Sequence, residues 1–283
     1  NAVYGTFIPI YLKSIGYTDV LIGILLSIAP FIAIVAQPIW GLAGDRAEYK
    51  NTILKYLLIG TGCAIVLYPL SNNFYYLIIV MSLFTFFQAS IGPITDAITL
   101  EYLGNTGQKY GPIRMAGTLG YAIMSIIAGI ILRNEVSRMF PLYLLILVSA
   151  LFVFWKLPNI KGYQSDGQKM AVSKLFKMPR LMLYMSFNLI MQISLGFYYS
   201  FFGIYYKEIG GTNTLLGWSA FICAISEIPF LLFADRILKK LGTKYTLLIS
   251  GVSATIRWFL LSFVTDPYWV LPIQQEPSYS SRN

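Results

Sequence analysis

The chain of 283 residues is 57% hydrophobic and 12% charged, whereas roughly 25% of the residues in ordinary soluble domains are charged. This composition excludes a soluble globular protein and predicts an integral membrane protein with many spans. The net charge of +9 does not indicate a nucleic-acid partner, because the basic residues concentrate in alternate loops, as they do in membrane proteins.

Apolar runs of about 20 residues, the length that crosses a bilayer, recur along most of the chain. Cys63 and Cys223 both fall inside such runs and the chain has no His, so we expect no disulfide, metal site or cofactor. Together with a shorter first run, which we interpret as a clipped helix, the runs predict an all-α membrane protein with nine spans, at 1–12, 20–42, 52–70, 74–100, 112–132, 138–156, 181–206, 214–233 and 244–264.

Lysines and arginines alternate between the loops. Four of them lie in one set of loops, and thirteen lie in the loops 43–51, 101–111, 156–180 and 234–244. The positive-inside rule places the richer set in the cytoplasm, together with the N-terminal segment. We therefore expect a multi-pass protein of the plasma membrane with a cytoplasmic N-terminus and a cytoplasmic central segment.

The segment 157–180 is the longest polar stretch between predicted spans. We interpret it as a linker that divides a six-helix N-terminal half, 1–156, from a partial C-terminal half, 181–274. A tenth span begins at PYWVLPIQ, but the sequence turns polar at 275–283. This abrupt change favours a truncated chain with an incomplete C-terminal bundle; the alternative is a protein that is naturally this short.

Two loops at equivalent places in the predicted halves carry the same pattern. GLAGDRAEYKN at 41–51 follows the second span and LLFADRILKKLGTK at 231–244 follows the eighth, so that small-Asp-Arg recurs after 190 residues. The Asp can accept hydrogen bonds from a neighbouring helix end while the basic side chains stay on the cytoplasmic side. The two loops therefore predict a conformational latch; the alternative is an ordinary pair of charged turns. The latch residues are Gly41, Asp45, Arg46, Lys50, Asp235 and Arg236.

Asp96 lies near the end of the fourth predicted span, and Arg114 lies near the start of the fifth. A charge on a spanning helix costs at least ~2.5 kcal/mol, so such residues normally face a partner or a polar cavity. We expect these two to face a substrate cavity; the alternatives are an ion pair that only fastens two helices, or an Arg114 at the membrane interface. Residues at helical spacing share one helix face, so each charge belongs to a polar stripe. Asp96 shares its face with Gln88, Gly92 and Thr99, and Arg114 shares its face with Thr118, Tyr121 and Ser125.

Later spans add further polar residues. Asn188 and Gln192 share one face of the seventh span, where we expect them to contact the substrate. Glu227 lies in the eighth span, and Arg257 lies in the ninth on one face with Ser250 and Ser253. Charges in the membrane can bind a solute and can also change protonation as a cavity changes sides.

The first loop resembles a family signature. Gly41 to Lys50 is similar to the pattern G-x-L-A-D-R-x-G-R-K of the major facilitator superfamily, although Glu48 stands where a Gly is usual. The second copy lacks the leading Gly. The resemblance implies two six-helix bundles, so this chain would be about three helices short of the full set.

A closer resemblance, to the lactose permease branch of oligosaccharide:proton symporters and its phenylpropionate and nucleoside permease relatives, rests on PITDA and YGPIRMAGTLGY, with eighteen residues from Asp96 to Arg114. It implies that these two residues bind polar groups of the substrate and that Tyr121 stacks on a sugar ring. It also implies that Arg257 takes part in proton coupling, with Glu227 near the place of the branch's acid. Asp96 replaces the usual Glu, and Tyr121 replaces Trp.

Together these features predict a secondary transporter that imports a small organic solute, such as a sugar, with a proton. The alternatives are an exporter of drugs or aromatic solutes, because 16% of the residues are aromatic, and a transport-inactive fragment of such a carrier. An enzyme is not expected, because the sequence has no nucleophile placed with a base and no metal constellation. We expect a monomer whose partners are the solute, protons and the lipid bilayer.

Overall fold

The computed structural model describes residues 2–106, 110–162 and 179–274. Within these ranges the chain is built of helices joined by short turns, with an isolated β-bridge between Tyr49 and Lys161. The all-α prediction is therefore confirmed. The middle of the predicted linker and the predicted polar tail, 275–283, lie outside the described residues.

The described residues form ten α-helices: α1 (Tyr4–Ser14), α2 (Asp19–Arg46), α3 (Lys50–Leu67), α4 (Phe74–Gln88), α5 (Ile91–Thr106), α6 (Tyr110–Ile131), α7 (Met139–Phe154), α8 (Pro179–Glu208), α9 (Asn213–Ser262) and α10 (Pro267–Ile273). Short 3-10 turns, Tyr68–Leu70 and Val136–Arg138, follow α3 and precede α7. The helix α8 covers the predicted seventh span.

Among the described residues, five helical segments are long and apolar enough to cross a membrane: Asp19–Arg46, Lys50–Leu70, Phe74–Gly104, Tyr110–Ile131 and Val136–Phe154. They coincide with the second to the sixth predicted spans. Their surfaces expose large apolar side chains, such as Phe31 (70% exposed) and Ile79 (67% exposed). In water such a surface would drive association, whereas a bilayer solvates it as long as the backbone groups are paired within helices.

The fourth predicted span, 74–100, consists of two helices because of Pro93. A proline in the first turn of α5 has no N–H with which to bond the carbonyl of Ala89, four residues earlier. That carbonyl instead accepts a hydrogen bond from Gln37 Nε2 of α2 at 3.3 Å. The break is thus held by a neighbouring helix, and it begins the helix that carries Asp96.

The long helix α9 contains two predicted spans and the segment 234–244 between them. The prediction of a loop there was wrong over most of its length, because the segment continues the helix and consists largely of good helix formers. The break is confined to Gly242, whose φ of +73° and ψ of 161° lie outside the helical region. Glycine adopts such a positive φ without a steric penalty.

Contacts between helices group the described residues into two compact units. As far as they are described, the first unit contains Tyr11–Tyr110 and Ser137–Lys174, and the second contains Asn1–Ile10, Gly111–Val136 and Leu175–Asn283. This grouping places α6 with the C-terminal helices. The sequence-based division into 1–156, 157–180 and 181–274 concerns the halves of the membrane domain and stays a prediction.

The first unit has an aromatic core. Tyr68 stacks on Phe140 with 5.3 Å between the ring centroids, and Tyr11 meets the same ring edge-on at 4.8 Å. Phe84 packs edge-on against Tyr68 at 5.8 Å. Offset and edge-on ring pairs add about 0.5 to 1.5 kcal/mol each beyond the burial of their area, so this cluster fastens α1, α4 and α7 around the end of α3.

In the second unit, α6 and α9 cross at Gly129 and Gly217. A Cβ atom on Gly129 would lie 2.7 Å from the carbonyl oxygen of Asn213 and 3.1 Å from the Cα of Gly217. The two glycines therefore let the backbones touch, as small residues do in membrane helix pairs. Asn213 Nδ2 also donates to the carbonyl of Leu132 at 2.6 Å, which fixes the start of α9 against the end of α6.

Candidate functional site

The structure places Asp96 on α5 in a half-buried position. The hydroxyl of Tyr110, the first residue of α6, donates to Asp96 Oδ1 at 3.0 Å. The neighbouring hydroxyls of Thr95 and Thr99 donate to backbone carbonyls one turn earlier, at 2.7 and 2.8 Å. The carboxylate is thus partly withdrawn from solvent and held by a phenol. Tyr110 opens the motif YGPIRMAGTLGY, but the sequence alone did not indicate this hydrogen bond.

The polar stripe of α6 carries Arg114, Thr118 and Tyr121, all half-buried. Thr118 Oγ1 donates to the Arg114 carbonyl at 3.3 Å, and Ser125 Oγ donates to the Tyr121 carbonyl at 2.8 Å. Both hydroxyls are thus bonded to carbonyls of their own helix. Gln88, at the end of α4, is half-buried as well.

Asp96 belongs to the first compact unit, whereas Arg114, Thr118 and Tyr121 belong to the second. The predicted cavity between them therefore stays a prediction. For five other predicted site residues the structure describes the helical backbone and not the side chain. These residues are Asn188 and Gln192 in α8, and Glu227, Asp235 and Arg236 in α9. Their roles also stay predictions.

Arg257 of α9 is the most deeply placed cation among the described residues, with 2% of its surface exposed. Its guanidinium carbon lies 5.3 Å from the ring centroid of Tyr198 and 5.6 Å from that of Trp258. These rings offer cation–π attraction. The Nε atom has no hydrogen-bond partner among the residues that the structure describes. The side chain is therefore stabilised by aromatic faces and keeps an unused donor.

The surroundings of Arg257 are more extensive than the sequence indicated. Tyr198 stacks on Phe202 with 4.6 Å between centroids and meets Trp258 edge-on at 4.9 Å. Its hydroxyl accepts a hydrogen bond from Gln274 Nε2. Sequence reasoning selected Ser250 and Ser253 on the same helix and missed these residues, because partners on other helices leave no periodic signal.

The side chains of the first latch loop, residues 41–51, differ in their exposure. Arg46 is exposed, and Gly41 and Asp45 are half-buried. Lys50 is 7% exposed, and its Nζ donates to Glu101 Oε2 of α5 at 2.6 Å. A buried ammonium needs such a neutralising partner, so the structure gives Lys50 an ion pair that the sequence did not indicate. The latch role itself stays a prediction.

The segment after α7 secures the same loop. Asn51 Nδ2 donates to the carbonyl of Pro158 at 3.0 Å, and its Oδ1 accepts from the N–H of Ile160 at 3.0 Å. The N–H of Lys50 donates to the carbonyl of Ile160 at 2.8 Å. The start of α3 and the chain beyond α7 are thereby held together at one end of the first unit.

Helices of spanning length that carry charges inside their apolar surface are typical of membrane transport proteins. Residues 2–276 match the MFS_1 like family, and the chain belongs to this family of major facilitator superfamily transporters. The predicted resemblance to the major facilitator superfamily is confirmed, and so is the prediction of a transporter rather than an enzyme.

Two relatives and one solved structure show what the chain is similar to. It is 28% identical over 254 residues to the maltose permease of Geobacillus stearothermophilus, a match that covers 87% of this chain and 62% of the permease. It is 23% identical over 283 residues to the "Probable 3-phenylpropionic acid transporter" of Escherichia coli (strain K12), which covers 96% and 73%. The chain therefore spans less than two thirds of the maltose permease.

The solved structure is that of a mutant of the nucleoside transporter NupG. It aligns with a TM-score of 0.80 at 16% identity, over 99% of this chain and 74% of the NupG chain. An identity this low shows a shared fold alone. The chain thus has the all-α fold of the major facilitator superfamily.

Proposed function

We propose that the protein to which this chain belongs imports a small organic solute with hydroxyl groups, such as a sugar, together with a proton. The observation that carries the proposal is the Asp96 carboxylate, half-buried within the helical segment Phe74–Gly104, which is long enough to span a membrane, and held by the Tyr110 hydroxyl at 3.0 Å. A charge in this position is costly and is retained where it faces a partner or a polar cavity. Similarity to a permease named for maltose supports a sugar.

Each predicted substrate residue contributes a different contact. Asp96 accepts hydrogen bonds from hydroxyls, and Arg114 offers a planar fork of donors. Tyr121 lies two turns further along α6 and offers the face of its ring to the CH surface of a sugar. Polar side chains at Gln88, Thr118, Asn188 and Gln192 complete the hydrogen bonds.

Coupling to protons is assigned to Glu227 and Arg257. A guanidinium that is 2% exposed requires a negative partner when no solvent can reach it. We assign that partner to Glu227, whose carboxyl can pair with Arg257 when ionised and release it when protonated. The latch residues of the two repeated loops then hold one state of the carrier closed until the halves move.

The cellular setting follows from the charge pattern. We propose a monomer in the plasma membrane, with the N-terminal segment and the central linker in the cytoplasm, because the loops rich in Lys and Arg lie on that side under the positive-inside rule. Export of aromatic solutes is the second candidate function. It is favoured by the rings of Tyr198 and Trp258 beside Arg257, which would suit a flat anionic solute.

The test is transport by the full-length protein in proteoliposomes. An inward proton gradient is expected to drive accumulation of labelled maltose, and Asp96→Asn is expected to abolish it at equal protein content. Arg133→Gln, which changes an exposed charge outside the helices, is the matched control. Efflux of an aromatic dye without sugar accumulation would instead support the exporter.

A further inference from the structure

A groove runs along an exposed apolar surface of the first unit between α3 and α7. Its volume is about 480 Å³, which falls within the usual range of ligand sites, roughly 300 to 1,000 Å³. Every residue that lines it is apolar, a glycine or a cysteine: Leu58, Ile59, Gly62, Cys63, Val66, Leu144, Leu147, Val148 and Leu151. We call it the α3–α7 groove. Its lining is suited to a hydrocarbon chain.

One end of the groove carries positive charge. On α3, Lys55 precedes Ile59 by one helical turn. Trp155, the C-cap residue directly after α7, follows Leu151 by one turn, so both residues continue the lining stripes. Lys156 comes next to Trp155. The two lysines are exposed, and Trp155 is 73% exposed.

The two helix ends are physically joined. Asn51, at the start of α3, exchanges hydrogen bonds with Pro158 and Ile160, just beyond α7. Lys55 and Lys156 therefore lie at the same end of the groove. Neither forms an ion pair with another residue of the described ranges. The nearby Lys50 differs, because Glu101 neutralises it at 2.6 Å.

We propose that the α3–α7 groove binds one anionic phospholipid. One acyl chain lies along the groove, the phosphate group lies between Lys55 and Lys156, and Trp155 lies at the level of the lipid carbonyls. Tryptophan is enriched at that level, and basic sites between helices on the charged side of a membrane protein bind anionic headgroups. A zwitterionic lipid has no net charge with which to balance two ammonium groups. This site does not depend on the proposed transport function.

A second groove on the same unit provides a built-in control. It lies between α2 and α4, has a volume of about 400 Å³, and is lined by Ile32, Ile78, Ile79, Ser82, Leu83 and Phe86. No lysine or arginine lies within one helical turn of these residues in the sequence. It has similar size and apolarity without the charge, so it should accept lipid chains without preference for an anionic headgroup.

The experiment is native mass spectrometry of the purified 283-residue chain in detergent with added dioleoyl phosphatidylglycerol or dioleoyl phosphatidylcholine. We expect one phosphatidylglycerol to be retained in preference to phosphatidylcholine. The double variant Lys55→Gln, Lys156→Gln should reduce this retention about tenfold, since each lysine near an anionic headgroup adds electrostatic attraction to the lipid. The double variant Arg133→Gln, Lys207→Gln removes two exposed charges elsewhere and should leave it unchanged.

A filling variant tests the groove separately from the charges. Cys63→Trp should block the acyl chain and reduce phosphatidylglycerol retention, whereas Ser82→Trp in the control groove should not. Size-exclusion profiles and thermal unfolding confirm that each variant is folded. A labelling experiment leaves the groove itself unchanged. In the Cys223→Ser variant in detergent, phosphatidylglycerol should slow the alkylation of Cys63 by N-ethylmaleimide more than phosphatidylcholine does.

Three outcomes would overturn the proposal. Equal retention of both lipids would show ordinary annular lipid. An equal loss in the Arg133, Lys207 control would show a general charge effect. A Cys63→Trp variant that dissociates a dimer while retaining phosphatidylglycerol would show that a second protein helix covers the groove instead.

Discussion

Lys50 and Arg257 are both cations with little exposed surface, 7% and 2% respectively, but they are stabilised in different ways. Lys50 begins helix α3 of the first unit, and its ammonium donates to the carboxylate of Glu101 at 2.6 Å. Arg257 lies within a helix of the second unit and contacts the rings of Tyr198 and Trp258. Its Nε atom has no hydrogen-bond partner among the described residues.

The difference separates a structural charge from one suited to function. An ion pair that satisfies its cation gives a fixed geometry, and breaking it leaves an uncompensated buried charge. Aromatic faces attract a cation without taking its hydrogen-bond donors. Arg257 can therefore accept an anionic partner and release it, whereas Lys50 has no such freedom.

The largest expected effect is on coupling through Arg257. In the full-length protein, Arg257→Ser should abolish accumulation of solute against its gradient, because it removes the cation that we propose as the partner of Glu227. Exchange of labelled for unlabelled solute should continue. Both are measured in proteoliposomes, with Arg133→Gln as the matched control. If solute still accumulates against its gradient in Arg257→Ser, the role of Arg257 is structural, like that of Lys50.

The next effect concerns the stability contributed by the Lys50 pair. Glu101→Ala should reduce the free energy of unfolding by about 2 to 3 kcal/mol, since it leaves the Lys50 ammonium buried without a partner. The double variant Lys50→Met, Glu101→Leu should recover most of the loss. Unfolding in detergent by heat and by denaturant measures both.

An exposed pair in the same unit is the control for this prediction. Lys13 and Asp19 lie 2.5 Å apart with side chains 43% and 53% exposed. Asp19→Ala should cost less than about 1 kcal/mol, because solvent screens such pairs. Equal losses from Glu101→Ala and Asp19→Ala would show that burial does not distinguish the two pairs.

Variants at Arg114 test whether this cation has a structural role, like Lys50, or a binding role, like the one proposed for Arg257. If its guanidinium binds the solute, Arg114→Lys should weaken solute affinity about tenfold or more, because an ammonium cannot copy the bidentate geometry. Tyr121→Phe should have a small effect, and Tyr121→Ala a large one. Equilibrium binding of the labelled solute to the purified full-length protein measures these changes.

The charge-swapped variant, Asp96→Arg with Arg114→Asp, is the opposing experiment. A helix fastener of the Lys50 type would tolerate the exchange, so stability and affinity would recover together. A substrate site would recover stability without affinity. Full recovery of solute binding in the swap would therefore contradict the proposed role of Asp96 and Arg114.

The smallest expected effect is that of one ring beside Arg257. Tyr198→Leu keeps an apolar side chain but removes the ring and the hydroxyl that accepts from Gln274, and should reduce stability by about 1 to 2 kcal/mol through the lost cation–π contact and hydrogen bond. Phe197→Leu, at a neighbouring position that is 68% exposed, is the control and should change little. Thermal unfolding in detergent compares the two. An equal shift in both would mean that the ring contributes packing area and no specific attraction to Arg257.

Much of the fold was predictable because the bilayer imposes a local rule. A spanning helix needs about 20 apolar residues and satisfies its own backbone, so hydropathy alone located the five segments from Asp19–Arg46 to Val136–Phe154. The break before α5 also has a local cause, which is Pro93. The hydrogen bond from Gln37 of α2 to the freed Ala89 carbonyl has no local cause, because the two residues are far apart in the sequence. The helical segment through 234–244 was missed because charged residues suit both a loop and an exposed helix.

The sequence by itself determined the membrane class, the length of the spans and the positions of charges inside them, since each depends on residues close together in the chain. Only the tertiary structure decided the partners. Lys50 meets Glu101 at a separation of 51 residues, and Arg257 meets Tyr198 from a different helix. Such pairs depend on helix packing and on the entropy of closing long loops, which no local pattern records, and the same is true of the α3–α7 groove.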